Sequence, residues 1–316
     1  MRSLRVCLAL FVGLILVAAI SGDILSGEDT SKKSVRDDQT YRVTVGVNLV
    51  NIPCSVLDKN TNSFVTSLTR DDFSIYEDNQ KQEIQNFARE NNFPLTIAML
   101  VDTSTSVAPK LKFEQEAATN FFQSIMREKD RAMLMSFDSG VAMLQDFTSD
   151  PNKMAKQIAK LRAAGGTALY DAIYMACDEK LIREGGRKAI IILSDGEDRS
   201  SDHTLKQAME MALRADATIF AISVSKGGFF GMGDTHEGDA VLAEMAQETG
   251  GKIFYPFKVE DLDASFRQIN QELRSQYNLG FVSTNLRRDG KYRKIEIKAQ
   301  KGFKLSYRKG YYAPKG

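Results

Sequence analysis

The sequence predicts an α/β fold: a doubly wound, mainly parallel sheet inserted in an antiparallel β-sandwich that both chain ends form. Four nearly continuous apolar runs, at 95–101, 132–137, 189–193 and 218–224, have the composition of strands covered on both faces. Segments of helical period lie between and after them: Phe113, Ala117, Phe121 and Ile125, then Leu169, Ile173 and Ala176, then Leu262, Phe266, Ile269 and Leu273. Strand-period segments stand on either side of this block. Buried strands that alternate with amphipathic helices pack as a parallel sheet with helices on both faces.

Residues 1–21 read as a secretory signal. Arg2 and Arg5 precede an uncharged apolar stretch at 6–20, and small residues follow around Ser21. The stretch is shorter than the roughly 20 residues of a membrane span, so a retained N-terminal anchor is the alternative. Residues 22–40 are polar and aperiodic, a flexible linker. From 41 to 92, Val43, Val45, Val47 and Leu49 alternate with polar residues, and short segments at 52–57, 64–68, 73–76 and 84–87 read as further strands. The α/β block spans 93–275. Strands return over 276–316, at 277–283, around Ile295 and Ile297, and at 303–312. That C-terminal part offers about three strands, too few for a stable sheet of its own, so one sandwich built from both ends is the economical solution. Lys298, Lys301, Lys304 and Arg308 read as its solvent face.

The 316 residues include 42 basic and 41 acidic side chains and are 43% apolar. That apolar fraction supports a buried core, while near-neutrality gives no field for gripping a phosphate backbone, so no nucleic acid partner is expected. Two histidines, His203 and His236, and three cysteines argue against imidazole- or thiolate-based metal sites. His203 and His236 read as loop residues, and Cys54 and Cys177 as buried free thiols.

Ligands of open α/β sheets sit at the carboxyl ends of strands. The first apolar run exits into Asp102-Thr-Ser-Thr-Ser106, the third into Ser194-Asp195-Gly-Glu-Asp198, and Gly165-Gly166-Thr167 precedes the second helical segment. Asp102, Ser104, Ser106, Thr167 and Asp195 therefore converge on one rim. Their donors are all hard oxygens, which select Mg²⁺, with Mn²⁺ or Ca²⁺ possible. Mg²⁺ fits best, because two carboxylates balance its charge and it retains waters. Glu197 and Asp198 read either as groups around the ion or as solvated loop acids. Ser225-Lys-Gly-Gly-Phe-Phe-Gly-Met-Gly233 follows the fourth strand, so Phe229, Phe230 and Met232 are candidate partner-contact residues beside the ion.

Asp102-x-Ser104-x-Ser106, with Thr167 and Asp195 downstream, resembles the metal-ion-dependent adhesion site of von Willebrand factor type A domains, whose sheet is Rossmann-like. The resemblance covers about residues 93–275. It implies that Ser104, Ser106 and Thr167 bind the metal directly and that Asp102 and Asp195 act through water. It further implies that an Asp or Glu of a partner protein completes the shell. Thr103 and Thr105 stand where many members carry small residues, but neither is a ligand position. The segments at 73–78 and 309–312 are similar to those of secreted bacterial proteins that contain such a domain. The implied function is non-enzymatic: a secreted, periplasmic or cell-envelope module for metal-dependent protein binding, of adhesion type. By the same analogy, movement of the last α/β helix would be passed to the β domain. A metal-dependent hydrolase is one alternative, though no general base is evident and no Gly-x-Ser-x-Gly elbow is present. A structural envelope protein with a folding metal is the other.

Overall fold

The computed structural model describes residues 49–89, 93–225 and 237–316. The first β stretch holds β1 (Leu49–Asp58), β2 (Ser74–Glu77), β3 (Gln80–Gln82) and β4 (Ile84–Ala88). The central block begins with β5 (Leu95–Asp102), α1 (Leu111–Ile125), β6 (Arg131–Phe137), β7 (Val141–Thr148), α2 (Pro151–Ile158) and α3 (Leu169–Met175). It continues through β8 (Arg187–Ser194), α4 (Leu205–Arg214), β9 (Ala217–Ser223), α5 (Glu237–Thr249), β10 (Ile253–Phe254) and α6 (Val259–Ser275). The final stretch supplies β11 (Tyr277–Val282), β12 (Tyr292–Lys298), β13 (Phe303–Ser306) and β14 (Gly310–Tyr312).

The central sheet has the order β10-β9-β8-β5-β6-β7 and is parallel except for β7, which runs antiparallel to β6. Side chains of β5 alternate between two cores, as a strand's period of two requires. Ile97, Met99 and Val101 join Phe121 of α1, Met154 of α2 and Phe266 of α6. Ala98 and Leu100 join Leu169 of α3, Ala208 of α4 and Leu242 of α5. Because both faces are covered, every residue of β5 and β9 is buried, which is why their sequences lack alternation. The edge strand β7 is only half-buried along its length, so it carried no comparable signal.

Two four-stranded sheets account for the remaining described strands, in the orders β13-β1-β11-β4 and β14-β12-β2-β3. Each mixes strands from both ends of the chain, as expected. Val50, Ile52, Cys54 and Val56 of β1, Ile75 of β2, Tyr277, Leu279 and Phe281 of β11, and Ile295 and Ile297 of β12 close a shared core. At its centre Tyr277 packs on Phe73 and Phe87, with ring centroids 5.2 and 5.7 Å away. The β2–β3 hairpin turns through Asp78 and Asn79, both at positive φ, the backbone that a tight two-residue turn needs.

Three expectations are corrected. The segment 64–68 is not a strand: Phe64 makes one bridge to Leu57, and the Leu68 amide donates to the Tyr277 hydroxyl instead of to a neighbouring strand. Phe113 is exposed, because α1 is rotated so that Leu111, Glu114, Ala117, Ala118, Phe121, Phe122 and Ile125 face inward. Arg308 is not on the solvent face. It is buried, pairs with Asp216, and donates from Nη2 to the Asn51 carbonyl at 2.9 Å, which ties the sandwich to the α/β block. Beside it Gly250 has φ +85° and lies so close that a Cβ would stand 2.5 Å from the Arg308 amide nitrogen. A side chain there would be strained and would push the two parts apart.

The last helix is held where it meets the sandwich, with only Gln276 between α6 and β11. Arg187 of β8 donates to the Leu273 and Gln276 carbonyls at 2.9 and 2.8 Å, and Arg274 pairs with buried Asp130. Cys54 and Cys177 are buried free thiols, as expected; burial pushes the Cys54 thiol up to about 12. Among the described residues no helix is long and apolar enough to cross a membrane.

Candidate metal centre

The carboxyl ends of β5 and β8 deliver the central residues. Asp102 ends β5 and is fully buried. Its Oδ1 accepts the Ser104 amide at 2.8 Å and its Oδ2 accepts the Ser194 hydroxyl at 2.6 Å. These contacts fold the chain back on itself after the strand, so the next two serines return to the rim. The Ser104 and Ser106 hydroxyl oxygens lie 2.8 Å apart, and Ser106 Oγ donates to Asp195 Oδ2 at 2.7 Å. Four of the five expected ligands are thus one connected polar chain. Thr167 lies on the adjoining loop, which Thr105 draws in by donating to the Gly165 carbonyl from its amide (3.4 Å) and its hydroxyl (3.1 Å).

Thr167 is not a helix cap. The cap position of α3 is Ala168. The first amides of that helix are satisfied from the next loop: Tyr170 donates to Asp198 Oδ2 at 2.9 Å and Asp171 to Ser201 Oγ at 3.0 Å. Asp198 therefore serves the helix start, consistent with its favourable position beside the amide end. Glu197 is exposed and pairs with Arg199. His203, the one histidine among the described residues, has Nδ1 2.7 Å from Asp171 Oδ1 and stacks on Tyr174. Phe229, Phe230 and Met232, like His236, lie outside the described residues.

Electrostatics favours a cation at this rim. Burial is the main cause that pushes the Asp102 carboxyl up to about 6; its bonds to Ser104 and Ser194 oppose the shift and Asp195 adds to it. Two carboxylates on one rim repel one another until a positive charge arrives. The donors fit a hard divalent ion: oxygens alone, two of them anionic, with hydroxyls already within 2.8 Å of one another. Among the described residues no three of His, Cys, Asp and Glu gather around a metal-sized space.

Two residues that matter here escaped the sequence reading. Ser194 was only a neighbour of Asp195, although a hydroxyl at the end of a buried strand is itself a signal. Glu114 was hidden because the repeat was begun at Phe113 instead of Leu111, yet an acid spaced with Leu111, Ala118 and Phe121 marks the inward face. It is fully buried, and burial, with Asp102 and Asp195 nearby, pushes its carboxyl up to about 8 from an ordinary 4.5. Between those values the unfolded chain binds fewer protons than the folded one, so stability falls as pH rises. The melting temperature of metal-free protein should therefore drop between pH 6 and 8 (roughly the window above the Asp102 titration), and Glu114→Gln should flatten that slope. An unchanged slope would assign it to other groups.

Residues 97–197 match the family model of the von Willebrand factor type A domain. An uncharacterized protein of Synechocystis is 25% identical over 201 residues, covering 62% of this chain and 45% of its own length. One from Borreliella burgdorferi is 25% identical over 206 residues, covering 58% of this chain and 59% of its own. Proximal thread matrix protein 1 of the mussel byssus, solved with a zinc-occupied MIDAS motif, superposes with a TM-score of 0.50 at 16% identity, over 63% of this chain and 50% of that one. The chain thus spans about half the length of the curated relatives it matches. The matched segment begins inside β5 and ends just past Asp195, so it encloses every expected ligand. Together with the doubly wound sheet and the strand-end position of the motif, the match identifies residues 97–197 as similar to a von Willebrand factor type A domain.

Proposed function

We propose that the chain is an exported, Mg²⁺-dependent protein-binding module of adhesion type, and not an enzyme. The observation that carries this reading is the connected rim of Ser104, Ser106 and Asp195 above buried Asp102. Ser104, Ser106 and Thr167 would hold the ion through their hydroxyls, with Asp102 and Asp195 supplying the negative charge. Bound there, Mg²⁺ supplies positive charge and an open position for an Asp or Glu of the partner. The chain's own residues fix where that acid can approach: Ser106 is exposed at the rim, whereas Asp102 is sealed beneath it. His203, the residue best suited to proton transfer, is already engaged by Asp171 and Tyr174. Export rests on the N-terminal sequence, which fits a signal of residues 1–21.

Partner capture from an envelope and secreted fraction tests the reading. A protein retained with Mg²⁺ and lost both with EDTA and with Asp102→Ala is the expected result. The same proteins retained under all three conditions would remove the ion from recognition. Phe229, Phe230 and Met232 are proposed to flank the bound acid, on the strength of the sequence. Replacing both phenylalanines with serine should weaken capture about tenfold or more while leaving Mg²⁺ affinity unchanged by calorimetry, as expected for apolar contact residues. The reverse pattern would defeat that assignment.

A further inference from the structure

Among the described residues Glu114 is a buried group whose presence packing does not explain. It occupies a core position on α1, is 2% exposed, and neither carboxyl oxygen has a hydrogen-bond partner among the described residues. Its charged neighbours come from three places: Asp102 at the end of β5, Asp195 beyond β8, and Lys110 immediately before α1. The Lys110 ammonium is directed at the Val224 carbonyl, at the end of β9. A carboxyl that is buried and unbonded, in the field of two other carboxylates, holds its proton. A divalent cation at the rim reverses this, because it is the largest local charge and lies on the same side as the groups that opposed ionisation.

Resting on the reading that Asp102 and Asp195 hold a divalent ion, we propose that Glu114 is the releasable proton of the centre: protonated when no cation is bound, ionised when one is. Each Mg²⁺ then enters as a Glu114 proton leaves to solvent, an exchange that conserves all but one unit of positive charge. The arithmetic of the ionised state supports it, since Asp102, Asp195 and Glu114 less Lys110 leave two negative charges for a divalent ion. Glu114 is a positioning residue here, acting on the ion through its field and not as a ligand. The consequence is that cation affinity, and with it partner binding, responds to pH across the neutral range.

The test is titration calorimetry of Mg²⁺ into the full chain at pH 7, in Pipes and in Tris, whose different ionisation heats report the protons released. Wild type should release close to one proton per ion. Glu114→Gln, which keeps the shape and removes the proton, should release close to none and lose the rise in affinity that wild type shows between pH 6.5 and 8. Wild type at pH 9 gives a second, variant-free check: release should fall towards zero, because the Glu114 carboxyl, near 8, is then already ionised. Equal proton release by wild type and Glu114→Gln, with Mg²⁺ still bound, would overturn this inference and leave the metal reading standing. Absence of Mg²⁺ binding to wild type would overturn both.

Discussion

Asp102→Ala is expected to lower Mg²⁺ affinity by at least about 100-fold, so that calorimetry at millimolar concentrations detects no binding. The size of the effect follows from what Asp102 holds. Its two oxygens fix the Ser104 amide and the Ser194 hydroxyl, so truncation removes a negative charge and also frees the turn that presents Ser104 and Ser106. Both partners are buried and would be left without an acceptor, at a cost of about 1–3 kcal/mol each before water enters. Asp102→Asn separates charge from shape. Its amide oxygen can still accept from Ser104, and losing a carboxylate whose ionisation burial opposes costs the metal-free fold little. The asparagine variant should therefore melt near the wild-type temperature yet bind Mg²⁺ almost as poorly as the alanine variant. Wild-type affinity in Asp102→Asn would show that charge at this position is not needed and would move the centre elsewhere. Ser106→Ala, at the exposed edge of the set, should lose about tenfold.

Much of this centre was legible because strand ends are legible. A run such as 95–101 must stop where polar residues begin, and in a parallel sheet every such stop falls on one rim. Asp102, Ser104, Ser106 and Asp195 were placed by that rule alone, and the connected rim is what it produces. What the rule does not give is anything perpendicular to the strands. The first turn of α1 is an example: Phe113, four residues before Ala117, looks as regular as Leu111 and Glu114, and only packing against α2 and α6 decides between them. Glu114 was missed for that reason. Long-range contacts were legible only as the expectation that both chain ends build one sandwich; the particular pairings were not. The pairing of β1 with β11 and β13, the hold of Arg187 on the end of α6, and the burial of Arg308 against Asp216 each join segments that share no local pattern. The analogy of a last helix that shifts and passes its movement to the β domain meets a physical obstacle in the second of these. That helix ends in two arginine contacts and one residue from a central sandwich strand, so any shift would have to break them together.

Arg293→Ala is expected to destabilise the sandwich by about 3–5 kcal/mol, the range for breaking a buried ion pair by removing one partner. Arg293 of β12 and Glu77 of β2 are both nearly inaccessible, with Nη1 3.6 Å from Oε1. Glu77 Oε2 accepts the Ser283 hydroxyl at 2.6 Å and Oε1 accepts the Tyr311 hydroxyl. Arg293 Nη1 donates to Ser283 Oγ at 2.9 Å and to the Asn285 carbonyl at 2.6 Å. One network therefore joins β2, from the first part of the chain, to β12, β14 and the residues after β11, from the last. Without the guanidinium, Glu77 remains buried beside hydroxyls that cannot neutralise it. Replacing both charges, as in Glu77→Leu with Arg293→Met, should recover most of the loss, because a well-packed apolar pair avoids the desolvation penalty of both ions. Denaturant titration of the two single variants and the double variant measures the coupling, and simple additivity would show that the network contributes nothing as a unit. Mg²⁺ affinity under native conditions should be unchanged in all three. The network sits in the sandwich, which is fastened through Arg308 and Asp216 just before β9 begins, whereas Asp102 and Asp195 lie at the opposite, carboxyl ends of the strands. A matching loss of Mg²⁺ affinity would mean that the sandwich controls the rim through the length of the sheet.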